Sequence, residues 1–174
     1  MKTAKVLIVS ICLLSLTAIT ATPQHHQHHS NYAGQEHRLI KSLSDDDIQQ
    51  LQTGKGWGLA KAAELNGLPG PIHLLQMKKE IKLTAAQEVK IQALYEDMKK
   101  KAVPLGKSLV KLEKELNDAF AQNSITTAQL SNKLDEIALV YKKLRFVHLS
   151  THLQTPKLLT TAQITQYNHL RGYN

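Results

Sequence analysis

The sequence predicts an all-α protein: one long, kinked antiparallel helical hairpin with short helices flanking it. Two apolar stripes carry that expectation. In the first, Ile91, Tyr95, Met98, Ala102, Leu105, Leu109, Leu112, Leu116 and Ala119 follow one another in alternating steps of four and three residues. In the second, Leu130, Leu134, Ile137, Tyr141 and Leu144 keep the same rhythm. Alternating steps hold one stripe on one helix face, the seam of a coiled-coil-like pair. The third observation is the connection from Gln122 to Ile125, short enough to force antiparallel neighbours.

The first 21 residues have the form of a secretory signal: Lys2 and Lys5, an apolar run from Val6 to Leu16, then small and polar residues ending at Ala21. Cleavage is expected after Ala21, with Ala18 as the alternative. The apolar run is too short for a comfortable membrane span, so no stable membrane insertion is expected after signal removal. Cys12, the only cysteine, leaves with the signal. The exported domain must then hold itself by apolar packing, or by pairing with a second copy.

Residues 22–43 are expected to be a disordered His/Gln-rich segment, with His25, His26, His28 and His29 close together. Those histidines are either a solvated tail or a loose metal-collecting tract. Residues 44–174 form the helical domain. Ser44 and Asp47 have capping spacing, so a short helix runs from Asp45 to about Gln52 and stops at Gly54. Gly54, Gly56 and Gly58 surround Trp57 without the spacing of a phosphate-binding loop. A second short helix is expected over Leu59–Leu65, and one or two turns over Ile72–Lys79 after the sharp turn Leu68-Pro69-Gly70-Pro71.

Three Thr-x-x-Gln capping boxes then mark helix starts at Thr84, Thr126 and Thr160. Pro104 falls inside the first arm, but the stripe keeps its phase through it, which predicts a kink and no break. The second arm runs from Thr127 to about Gln154, before Pro156, and the last helix from Thr161 to about Leu170.

The formal net charge is +8, and loss of Lys2 and Lys5 leaves +6. The lysines cluster, as at Lys99, Lys100 and Lys101, and again at Lys142 and Lys143 beside Arg145. Either these are solvated helix faces or they attract acidic partners and unfolded acidic chains. No base-reading motif accompanies them, so nucleic acid is not an expected partner. An enzyme is not expected: the exported part has no cysteine nucleophile, no glycine-rich cofactor loop and no serine elbow.

Leu83, Thr84 and Gln87 form an L-T-x-x-Q motif, and Leu159, Thr160 and Gln163 form a second. Two copies flanking a helical hairpin, in an exported chain without cysteine, resemble the Spy/CpxP family of periplasmic proteins. The stretch from Ala62 to Pro71 also looks like the branch labelled periplasmic heavy-metal sensors. The resemblance implies a cradle-like homodimer in the periplasm that holds unfolding clients without ATP. Apolar residues beyond the seam (Val89, Val103, Val110, Phe120, Val140, Phe146 and Val147) are candidates for a client surface or for burial in an interface.

One constellation has chemistry of its own. His148 and His152 are four apart, so they share a helix face. Two imidazoles at this spacing can hold Zn, Ni or Cu when further ligands join them. A hairpin folded about residue 124 sets His148 across from Met98 to Lys100 and His152 from about Tyr95. Glu96, Asp97 and Met98 are then candidate partners, and Glu64 and His73 could reach in from before the hairpin. Metal-sensing relatives use His, Glu and Met in this way, so metal binding is the alternative function. Otherwise the pair are ordinary interfacial histidines.

Overall fold

The computed structural model describes residues 30–173. The expected signal peptide and the histidines at 25–29 lie outside them. The chain divides into two compact units, Met1–Ala33 and Gly34–Asn174. Of the first, residues 30–33 are described, a turn in which the Ala33 amide donates to the Ser30 carbonyl.

The second unit holds six helices among the described residues: α1 (Asp45–Thr53), α2 (Lys61–Glu64), α3 (Pro71–Gln76), α4 (Ala85–Ala121), α5 (Thr127–His152) and α6 (Thr161–Arg171). The all-α hairpin expected from the stripes is what forms, with α4 packed along α5. At 1.5 Å per residue the 37 residues of α4 span about 55 Å. The helix runs unbroken through Pro104. Among the described residues, no helix is long and apolar enough to cross a membrane.

Capping chemistry sets the boundaries. Ser44, Thr84, Thr126 and Thr160 each accept a hydrogen bond from the backbone amide three residues on, and each third residue reaches back to the cap amide. α1 ends at Gly54 (φ 69°) and α6 at Gly172 (φ 71°), the left-handed stop that glycine adopts without strain.

Three expectations are corrected. The second short helix is one turn, Lys61–Glu64, because the glycines before it impose turns. The packed unit begins before Ser44: Ile40 and Leu43 are buried in the main core, after a 3-10 turn at Gln35–His37. Their two apolar side chains are too few to show a period in a polar stretch. Leu134, a seam residue in the sequence, is 48% exposed.

Two cores result. The larger joins Ile40, Leu43, Leu51 and Leu59 to Met98, Ala102 and Leu109 of α4 and Leu144 of α5. Here α1 lies directly on α4: a Cβ at Gly106 would sit 1.9 Å from the Leu51 carbonyl oxygen, so only glycine admits the contact. The smaller core gathers Leu74, Ile81, Ile91 and Tyr167, with Leu83 and Leu159 packed against it.

Candidate functional site

The two L-T-x-x-Q motifs meet. Gln87 Nε2 donates to Gln163 Oε1 at 2.8 Å, and Gln163 Nε2 donates to Gln87 Oε1 at 3.0 Å. Each oxygen also accepts from its own cap amide, Thr84 or Thr160, at 2.9 Å. The spare amide hydrogens go to the carbonyls of Leu158 and Lys82. The motif thus does more than start helices: it fastens the start of α4 to the start of α6. The signal that could have revealed the pairing was the duplication itself.

Next to this clasp the pre-hairpin turn slides under the end of α5. The Leu68 carbonyl accepts from His152 Nδ1 at 2.8 Å, and the Pro69 carbonyl from Thr155 Oγ1. Gly70 makes that approach possible, since a Cβ there would lie 2.9 Å from the His152 ring. A carbonyl can only accept, so Nδ1 of His152 carries the hydrogen of this bond.

Glu64 stands beside it, its Oε2 3.8 Å from His152 Nδ1. Its other oxygen accepts from the hydroxyl of Tyr167, from Arg171 Nε at 3.2 Å and from Tyr173 Oη at 3.2 Å. Burial, and then the Glu64 carboxylate, push the Tyr167 phenol above its ordinary range. Nothing in the sequence linked Glu64 to three residues more than a hundred positions away.

His148 lies one turn before His152 and is 5% exposed. Burial first, and the neighbouring His152 second, hold its pKa down to about 4, so the ring is neutral at pH 7. Its Nε2 is buried without a hydrogen-bond partner. His73 is half-buried on α3, where Nδ1 meets Gln76 Oε1 at 3.0 Å.

All four predicted residues, Glu64, His73, His148 and His152, line one cleft of about 510 Å³, and Tyr95 and Met98 line it with them, as the register about residue 124 anticipates. Glu96 and Asp97 do not. Glu96 accepts from Gln92, and Asp97 pairs with Lys101 at 2.6 Å. Their side chains leave α4 on other faces than Tyr95 and Met98. Among the described residues, no three His, Cys, Asp or Glu side chains are grouped to hold a metal ion. Much of the ligand capacity is committed elsewhere: Glu64 to α6, and His152 Nδ1 to Leu68.

A second hollow, also about 510 Å³, is lined by residues of both α4 and α5. Leu105, Phe146 and Val147 form its apolar floor, and Lys101, Lys142 and Lys143 surround it. Phe146 is 69% exposed. Of the apolar residues outside the seam, Val89 and Phe120 are exposed like Phe146, Val110 is buried, and Val103, Val140 and Val147 are half-buried.

Comparison with protein-family models, with curated proteins and with solved structures finds no match.

Proposed function

We propose that the chain is an exported periplasmic stress protein that holds unfolded or acidic clients without ATP, in the manner of the Spy/CpxP proteins its motifs resemble. The observation that carries this reading is the Phe146 surface. The Phe146 ring is exposed beside the half-buried Leu105 and Val147, and covering it would remove apolar surface from water. Lysines beside an apolar floor suit a chain that is both unfolded and acidic: the floor takes its apolar side chains, and Lys142 and Lys143 its carboxylates, Lys101 being paired with Asp97. Leu139, seven residues before Phe146 on the same face of α5, is also exposed. The periplasmic address follows from the signal-like first 21 residues, and the pairing of two copies from the resemblance.

The test is light scattering from reduced α-lactalbumin, an acidic protein that aggregates on unfolding. An equimolar amount of this protein should suppress the scatter, less so in 0.5 M NaCl, where charge attraction is screened. The variant Phe146→Ser should suppress at least threefold less while keeping its Tm, because the ring touches little of the fold. Full suppression by Phe146→Ser, or none by the parent protein, rejects the reading.

A further inference from the structure

We propose that the exposed face of α5 between Leu139 and Leu153 docks on an anionic lipid surface. It shares the Phe146 ring with the client-holding reading but stands on residues which that reading does not need. Leu139, Phe146 and Leu153 are each more than half exposed. They stand seven residues apart, so Leu139 and Leu153 project within about 20° of Phe146. Leu153 caps the end of α5 and keeps right-handed helical dihedrals, so the line runs on to the last residue of the helix. At 1.5 Å per residue it spans about 21 Å. The half-buried Leu149 lies beside it.

Charge then selects the partner. On the helix, Lys142 falls about 40° to one side of Phe146 and Lys143 about 60° to the other. Both are exposed, and neither pairs with a carboxylate among the described residues. On α4, Asp97 is already paired with Lys101, which lines the same hollow. No Asp or Glu follows Glu136 in the chain, whereas Arg145 and Lys157 add two exposed cations. An apolar line with lysines on both flanks is the form of a helix that lies in the membrane–water interface. The apolar side chains enter the acyl boundary, the lysine stems follow them, and the ammonium groups reach the lipid phosphates. A bilayer surface offers its apolar layer and its negative charge along the whole line at once. The helix lies on that surface and does not cross it, since no helix among the described residues is long and apolar enough to span.

The experiment is co-sedimentation of the chain from Thr22 to Asn174, which keeps the whole Gly34–Asn174 unit, with vesicles at pH 7.5. Vesicles of equal phosphatidylglycerol and phosphatidylcholine should bind it saturably. Pure phosphatidylcholine, or the mixed vesicles in 0.5 M NaCl, should bind at least tenfold more weakly. Phe146→Ser and Leu153→Ser should each weaken binding to the mixed vesicles at least threefold. Phe120→Ser removes an exposed ring near the hairpin tip and should leave it unchanged. All three side chains are exposed, so the variants should keep the parental Tm. Equal binding to both kinds of vesicle, no effect of Phe146→Ser and Leu153→Ser, or an equal loss in Phe120→Ser would overturn the proposal. So would a dimer in solution that Phe146→Ser and Leu153→Ser split into monomers, which would give the face to a second copy. Leu153 lies outside the Phe146 hollow, so Leu153→Ser should release vesicles while still holding α-lactalbumin. Failure of client holding with vesicle binding intact therefore rejects that reading alone, and the converse rejects this one alone.

Discussion

The hairpin has two halves that share one sequence pattern and differ in what the pattern achieves. In the proximal half, α4 and α5 are covered by α1, α3, α6 and the glycine loop. Ile91, Met98, Ala102, Leu109, Leu144 and His148 are buried there. In the distal half, between residues 111 and 143, no residue is buried, although Leu112, Leu116, Leu130, Leu134 and Ile137 continue the stripe in phase. Two helices alone cannot enclose a seam; a third layer is needed to shut out water. A stripe therefore predicts which face meets the partner helix, and the layer above it decides how much burial results.

The largest expected effect tests that difference directly. Leu109→Ala removes a side chain that is 2% exposed and should cost about 3 kcal/mol. Leu134→Ala, in the same stripe, should cost less than about 0.5 kcal/mol. Urea unfolding of both variants gives the two numbers, and equal losses would break the contrast. Amide exchange offers the same test without substitution: amides near Ala102 should exchange far more slowly than those near Leu134.

Acid should also act on the proximal half. The His148 ring gains its proton near the ordinary value of 6.5 in the unfolded chain, but only near about 4 when folded, because burial and then His152 disfavour the charge. Between those values the unfolded chain binds more protons, so stability falls as pH drops through the window, changes no further below it and is indifferent to this ring above it. The loss reaches up to about 3 kcal/mol at about 1.4 kcal/mol per unit. Denaturant midpoints from pH 7.5 to 4 should show that slope, and His148→Phe should flatten it. A wild-type protein as stable at pH 4.5 as at pH 7 would contradict the buried neutral ring.

Close approach of α1 is the third feature of the covered half. Gly106→Ala brings a helix-propensity gain of about 1 kcal/mol. It also drives a methyl group into the Leu51 carbonyl, a backbone atom that cannot turn aside. The net loss should be about 2 kcal/mol, a fall of roughly 6 °C in Tm. A rise in Tm would mean that α1 does not sit on α4 as described.

What could be foreseen from the residues was local or periodic. Capping boxes at Ser44, Thr84, Thr126 and Thr160 give their boundaries within a residue, because the cap is made by a side chain three positions away. The joint placement of His148, His152, Met98 and Tyr95 follows from hairpin register, which counting from the turn supplies. Burial of Ile40 and Leu43, the attachment of Glu64 to Tyr167, Arg171 and Tyr173, and the need for glycine at 106 depend on how distant segments stack. No spacing rule reaches that far. Glu64, His73, His148 and His152, the candidate metal ligands, do line one cleft. Hydrogen bonds to Leu68 and to α6 took up donors that spacing alone leaves free.

The smallest predicted effect is the sharpest probe of the two halves, because it compares the same four-residue device in three places. Gln87, Gln129 and Gln163 all complete capping boxes. Gln87 and Gln163 also bond each other, whereas the bonds of Gln129 stay within its own cap at the hairpin tip. Each Gln→Ala change loses a cap contact, about 0.5–1 kcal/mol. Only for Gln87 and Gln163 does one loss strip the other amide of its partner. The double variant should then be less destabilised than the sum of its single changes, with a coupling of about 1 kcal/mol. Gln129→Ala should add to either one within about 0.3 kcal/mol. Coupling at the proximal pair alone means that the duplicated motif is a clasp between α4 and α6. Additivity everywhere reduces it to three separate helix starts.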